Sequence, residues 1–419
     1  MTWPGVPLRD LGQWYGGGTP SKGNSAFWEG GSIPWLSPKD MGPTTLVATQ
    51  DHITRAAVTG SSVRAVPAGS VAVVVRSGIL DRILPVALVP FETTLNQDMK
   101  AIVPHEGVDV RWIAWGLRAF ERKLLRDTRK AGTTVASIEM PRFYSFELPV
   151  PALVEQRRIV DILEDHLSRL DAAACYLDTA LQRTQRWAAG MADLLIWGPR
   201  SPSRELGTLL REPMRNGRSD RAATGTNPGI RALTLTAVTR NEFTDANTKL
   251  TTTSSTVARG LWLEPGDIFV QRANTPDLVG TSARFDGPED WAIFPDLLIR
   301  VRPDESMVDS RFMVAVLRSE RSHRALRARA KGLAGSMPKI DQAAVADMKV
   351  PLPKLDEQRA IIDRLDGIRA TSAALAASLQ GQARRAAALR QALLAAAFSG
   401  KLTGRRTDDE VVEELARAK

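Results

Sequence analysis

Two stretches of the chain carry apolar or small residues alternately three and four positions apart. In the first they fall at 159, 163, 166, 170, 173, 177, 180, 184, 187, 191 and 194, and in the second at 361, 365, 368, 372, 375, 379, 382, 386, 389, 393 and 396. Spacing held that long is coiled-coil spacing. It predicts two helices of about 40 residues, roughly 60 Å each at 1.5 Å per residue. His166, Thr184, Ser372 and Gln382 put polar groups into the seam. Pro149 and Pro151, then Pro351 and Pro353, stand just ahead of the helices, where proline closes off what precedes. Gly198-Pro199 and Gly400 supply the stops.

Elsewhere the pattern changes. Residues 1–148 and 200–349 hold short β-branched runs bounded by Gly and Pro, such as Val71-Ala72-Val73-Val74-Val75 and Leu297-Leu298-Ile299-Arg300-Val301, which read as strands. Each of these segments then closes with a helix. The order is globular, helical, globular, helical, an α+β organisation in two similar halves.

The halves are an internal repeat. Residues 149–165 (PVPALVEQRRIVDILED) and 351–367 (PLPKLDEQRAIIDRLDG) align without a gap at an offset of 202, with identity at Pro149, Pro151, Leu153, Glu155, Gln156, Arg157, Ile159, Asp161 and Leu163. The offset still holds at Leu177/Leu379, Arg183/Arg385 and Gly198/Gly400. Upstream the echoes are weaker: Leu11-Gly12 against Leu206-Gly207, residues 66–78 against 263–275, and Asn96-Gln97-Asp98 against Phe294-Pro295-Asp296. Well-matched helices between poorly matched globular parts imply one shared task for the helices and two versions of a task for the heads.

A lone helix cannot bury such a stripe, and the other copy matches it in length and register. The expectation is an antiparallel pair, a rod with a head at each end. Packing of each helix on its own head, or on another protein's helices, is the alternative. Candidates for helix pairing and partner docking are Glu155, Gln156, Arg157, Ile159, Leu163 and Leu177, with Glu357, Gln358, Arg359, Ile361, Leu365 and Leu379.

Charge narrows the partner. The 419 residues carry a net charge of +9, which favours a polyanion, nucleic acid or an acidic membrane surface. The helix closing each head is basic in both copies: Arg118, Arg122, Lys123, Arg126, Arg129 and Lys130 in the first, and Arg318, Arg321, Arg324, Arg327, Arg329 and Lys331 in the second. A Gly-containing loop follows each, with Thr133 and Thr134 or with Ser336, and Lys339 lies just beyond the second. Cations, hydroxyls and loop N–H groups suit phosphates. Other loops offer groups that read base edges: Thr19, Lys22, Trp35, Ser37, Lys39 and Arg76 in the first head, and Arg215, Arg218, Arg240, Arg272 and Asn274 in the second. Taken singly, most of these are better read as ordinary turn chemistry.

The doubled proline–EQR–helix element resembles the specificity subunit of type I restriction-modification systems. So do the Leu-Gly start of each head, GGTPS at 17–21, IPWLS at 33–37 and AFSGKLTG at 397–404. The resemblance covers nearly the whole chain; the doubled element is its specific part. It implies target-recognition domains at 1–148 and 200–350, conserved helical spacers at 149–199 and 351–404, and a tail at 405–419. It further implies that each head reads one half of a split, asymmetric site in double-stranded DNA, and that the helices fix the gap between half-sites. Two methyltransferase (modification) subunits would dock on the helices, and two motor-nuclease (restriction) subunits can join. S-adenosylmethionine, ATP and Mg²⁺ would then sit on those partners, with no cofactor on this chain. The second head has no GGTPS match, which leaves its reading residues less defined.

The missing motifs point the same way. There is no Asn/Asp-Pro-Pro-Tyr/Phe tetrad for a flipped adenine, no GxxxxGK[ST] loop and no dinucleotide fingerprint. Asn227-Pro228-Gly229 reads as a turn. His52, His105, His166 and His323 show no metal-ligand spacing, and Asp296 with Glu289-Asp290 makes no convincing nuclease cluster. The single cysteine, Cys175, allows no internal disulfide. With no signal-peptide pattern and no membrane-length apolar run, a cytoplasmic, non-catalytic DNA-recognition subunit is expected. A self-contained DNA enzyme with an unrecognised site and a coiled-coil protein scaffold are the competing classes.

Overall fold

The computed structural model describes residues 3–130, 135–198, 201–223, 229–332 and 337–403. Thr133, Thr134, Ser336, the Asn227-Pro228 turn and the 405–419 tail lie outside them. The chain divides into two compact units, 1–177 with 380–419, and 178–379. Each long helix is therefore shared: the division falls within the helices, not at the junctions between head and helix.

In the first unit, a four-stranded antiparallel sheet has the order Gly12–Gly16, Met99–Pro104, Ser70–Val74, Val86–Val89. Every residue of Ser70–Val74 is buried. The alternation of strand side chains explains this unbroken run. Val71 and Val73 enter one core, with Ile113, Leu117, Leu124 and Phe143 from the helical side. Ala72 and Val74 enter a second, with Leu36, Leu46, Leu95 and Met99. That second core lies against another four-stranded sheet, of order Asp51–Ile53, Ile33–Leu36, Thr93–Leu95, Ala65–Val66. Gly5–Pro7 pairs with Glu147–Pro149, tying the start of the head to the approach of the long helix.

The second unit repeats this plan. Its sheet order is Arg215–Asn216, Leu298–Val301, Ile268–Gln271, Ser282–Arg284, strand for strand that of the first head. Ile268 and Val270 face one core and Phe269 the other. Ser203–Glu205 pairs with Lys349–Pro351 as Gly5–Pro7 does with Glu147–Pro149. The heads differ in their outer sheet, which in the second is the two-stranded pair Ile230–Leu233 and Thr248–Thr251.

The long helices run Leu153–Trp197 (45 residues) and Leu355–Phe398 (44 residues). In the first unit, the start of one packs on the end of the other: Ile159, Val160, Leu163 and Leu167 share a core with Leu393, Leu394, Ala397 and Phe398. In the second unit, Ile196 from the end of the first shares a core with Ile361, Ile362 and Leu365 from the start of the second. The helices therefore pair antiparallel, as expected. The expected seam does not persist along them. Trp187 and Leu194 are 50% and 61% exposed, and Ala173, Leu375 and Gln382 are exposed too. Burial in the last turns of the first helix instead falls at Thr184, Ala188, Ala192 and Ile196, four apart. A 3.5-residue seam drifts around a helix of 3.6 residues per turn unless the helix supercoils, so sequence spacing alone does not keep one face buried over 45 residues.

Candidate nucleic-acid interface

In each head, three separate pieces of chain meet beside the central sheet. In the first, Arg76 follows the strand Ser70–Val74 and forms a bridge with Ser137, while Arg129 bridges Ile138. The Lys130 N–H donates to the Ser137 carbonyl at 2.9 Å and the Ile138 N–H to that of Val75 at 2.8 Å. The end of the basic helix Glu121–Thr128 is thus laid next to Arg76. In the second head, Ala273 and Lys331 both bridge Lys339, and the Ile340 N–H donates to the Arg272 carbonyl at 2.8 Å. The backbone pairing brings Arg76 and Lys130 onto neighbouring pieces of chain, and likewise Arg272, Lys331 and Lys339; Arg126 stands one turn back on the helix Glu121–Thr128. By this register Arg272 matches Val75, one residue before Arg76. Successive strand residues point to opposite faces, so the two arginines are not equivalent.

Exposure divides the candidates further. Lys130, Lys331, Lys339, Lys22 and Arg240 are exposed. Arg126 is exposed and pairs with its neighbour Asp127 at 2.8 Å; Arg76 lies 3.9 Å from Asp98 and Lys39 2.7 Å from Asp51. Surface pairs of this kind are weak and leave the cation open to a stronger anion. Arg218 pairs with Asp220 at 3.0 Å. Arg215 donates to the Gly260 carbonyl at 2.8 Å and lines a cavity of about 530 Å³ with Trp262, Arg300 and Arg302.

Several expectations need correction. Trp35 is 4% exposed, and its indole N–H donates to the Gly18 carbonyl at 3.1 Å. It holds up the loop that carries Thr19 and Lys22 instead of meeting a base, with Trp28 edge-on to it at 5.2 Å. Ser37 is buried, its hydroxyl donating to Asp40 at 3.0 Å. Asn274 spends its amide on Gln271 (2.5 Å) and the Thr275 N–H (2.8 Å), which shapes its own turn. Arg327, by contrast, stays partly exposed while it donates to the Pro276 carbonyl (2.8 Å) and pairs with the exposed Asp277 (2.5 Å).

The second basic helix is in fact largely committed inside its own unit. Arg321 lies 4.4 Å from the Trp197 ring and Arg329 donates to the Ala344 carbonyl at 3.2 Å. Arg118 and Arg318 stand at the same place in the two heads. Burial, and then the nearby Arg390 and Arg369 respectively, push their pKa values below the usual arginine range. Arg118 donates to the Val86 carbonyl at 2.5 Å and so braces the sheet.

Two positions outside the candidate set adjoin the loop that carries Thr19. Gln97 is exposed beside Thr19, whose hydroxyl donates to it. Gly17 approaches the Asn96 carbonyl so closely that a Cβ would lie 1.8 Å from it, which explains a glycine there and fixes the pair of loops side by side. The echo at Asn96-Gln97-Asp98 was the only signal for this juxtaposition.

The EQR residues also separate. Gln156 and Gln358 are fully buried, so neither is open to a partner. Ile159, Leu163, Ile361 and Leu365 are buried and Leu177 and Leu379 half-buried. Glu155 accepts from Thr403 at 2.5 Å and Glu357 from the Lys354 N–H at 3.1 Å. Arg157 and Arg359 remain exposed. Among the described residues no group of three or more His, Cys, Asp or Glu could hold a metal ion, and no helix is long and apolar enough to cross a membrane.

Each unit thus carries a head of the same strand order with a cationic three-way junction. Residues 1–173 match the family described as type I restriction modification DNA specificity domain. The chain is 45% identical over 193 residues to the Escherichia coli EcoR124I/EcoR124II specificity subunit, covering 46% of this chain and 48% of that one. It is 26% identical over 332 residues to the StySPI specificity subunit of Salmonella potsdam, covering 75% and 70%. Its fold is that of a solved chain from work on complex assembly and conformational transition of the type I R-M system (TM-score 0.75, 18% identity, 96% and 98% covered). The HsdS subunit of Thermoanaerobacter tengcongensis is also similar (TM-score 0.55, 20% identity, 96% and 97% covered). The first 173 residues thus match the specificity-domain family, and the chain as a whole is similar to type I restriction-modification specificity subunits. The match to the Escherichia coli subunit spans about half of that protein's length.

Proposed function

We propose that this chain is the DNA-recognition subunit of a type I restriction-modification complex, with one head for each half of a bipartite, asymmetric site. The observation that carries the reading is the pair of heads with one strand order and unlike outer sheets and loops. One framework with two different surfaces suits two different half-sites. The cationic junctions supply phosphate contacts and the neighbouring loops supply base contacts. Catalysis belongs to partners: two modification subunits carrying S-adenosylmethionine, and restriction subunits using ATP and Mg²⁺, all acting in the cytoplasm.

Selection from a randomised duplex library, with the chain assembled with its modification subunits, tests this. The expected product is two short fixed motifs separated by a constant unspecified gap, with affinity falling steeply as salt rises. A single contiguous motif, or binding indifferent to salt, would defeat the reading. Cleavage or methyl transfer by the chain alone would favour a self-contained enzyme.

A further inference from the structure

The two buried glutamines make the same three hydrogen bonds in both units. Gln156 Oε1 accepts from the Asp109 N–H at 2.9 Å, and its Nε2 donates to the carbonyls of Gly107 (3.1 Å) and Pro151 (2.8 Å). Gln358 Oε1 accepts from the Asp309 N–H at 2.8 Å, and its Nε2 donates to the carbonyls of Met307 (3.2 Å) and Pro353 (2.9 Å). Asp109 and Asp309 are in turn the N-caps of the head helices Val110–Ala119 and Ser310–Arg318, each accepting from the arginine N–H two residues on at 2.8 Å. One amide thus joins three pieces of chain: the turn entering the long helix, the loop before the head helix, and that helix's cap.

The chemistry admits few substitutes. A carboxylate offers no donor for the two carbonyls, and an apolar side chain leaves all three backbone groups unpaired. The apolar contacts between head and helix are non-directional and tolerate small rotations. Three hydrogen bonds converging on one rigid planar group do not.

We propose that Gln156 and Gln358 are positioning residues for DNA recognition: each pegs its head at one angle to the long helix, so that the gap between half-sites is held to a single length. This rests on the bipartite reading above. Neither glutamine touches DNA.

The test uses the full chain in complex with its modification subunits, and duplexes bearing the selected site with the gap shortened by one base pair, unaltered, or lengthened by one. Wild type is expected to prefer its own gap by about 100-fold. Gln156→Met and Gln358→Met should each cut that preference below about ten-fold through loss of the buried hydrogen bonds. Affinity for a duplex carrying the corresponding half-site alone should stay unchanged. Gln156→Glu, which keeps the bond from the Asp109 N–H, should fall between, and serves if the Met variant does not fold. Val73→Ala, which loosens the sheet core without touching the clasp, should leave the preference intact. A sharp wild-type preference unmoved by the folded glutamine variants overturns the clasp alone. A wild type with no gap preference overturns the bipartite reading and the clasp with it.

Discussion

Arg126 and Lys130 lie on and just beyond the exposed end of the first head's basic helix, on the approach to a junction that also holds Arg76. Long cations there gain little from their own surface pairs and more from a phosphate. Reversing both (Arg126→Glu with Lys130→Glu) should weaken binding to every duplex alike, lowering the salt slope by about two while leaving the selected motif unchanged. Affinity titrations across salt concentrations check this; a changed motif would make them base readers, and an unchanged slope would place them away from the backbone. Composition pointed to these residues because a repeated basic helix is visible without a structure. Trp35 and Ser37 were misleading for the converse reason. Loop-like sequence, rich in Pro and Ser, does not reveal that the indole lies under the loop and the hydroxyl turns back to Asp40. Whether a polar group is already satisfied depends on long-range contacts that residue type does not encode.

Among the elements, the long helices were the most legible, since a stripe sustained over many turns overrides local ambiguity, and their antiparallel pairing follows from the matched copies. The phase of the seam was not legible past the middle, where small residues such as Ala172 to Ala174 give the pattern little amplitude. Nor did the pattern reveal which head each helix end serves. Phe398, near the end of the described chain, packs against Trp112 of the first head with ring centroids 4.3 Å apart, and Ile196 joins the second head's core. Phe398→Ala should therefore cost about 3–5 kcal/mol and Ile196→Ala about 2–5, each in its own unit. Hydrogen exchange reads the difference: Phe398→Ala should speed exchange in Val110–Ala119 and Ile196→Ala in Ser310–Arg318. Equal acceleration in both helices by either variant would mean that the two units unfold as one.

For the whole molecule, the repeat allows buried identity to be told from exposed identity. Gln156 and Gln358 are alike because one clasp is made twice, and Ile159/Ile361 and Leu163/Leu365 because one core is filled twice. Arg157 and Arg359 have no such internal reason. They are 60% and 59% exposed, and they meet different acids, Asp109 at 3.4 Å and Asp356 at 3.7 Å. Beyond the EQR element exposed identity is sparse: Asp161/Asp363 and Arg183/Arg385 match, whereas the exposed Tyr176 aligns with Ser378 and the exposed Arg186 with Ala388. An exposed residue kept in both copies without a common internal contact is accounted for by a common external one, a partner that binds once to each half. On the proposed reading that partner is the modification subunit. Arg157→Glu should then reduce the assembly from two modification subunits to one, Arg359→Glu likewise, and the double variant should leave none, while the selected DNA sequence is still bound by the chain itself. Mass measurement of the assembled complexes decides it: full two-subunit occupancy in the double variant would show that the shared arginines do not hold the partner, and loss of both subunits from a single variant would show that the two halves do not bind independently.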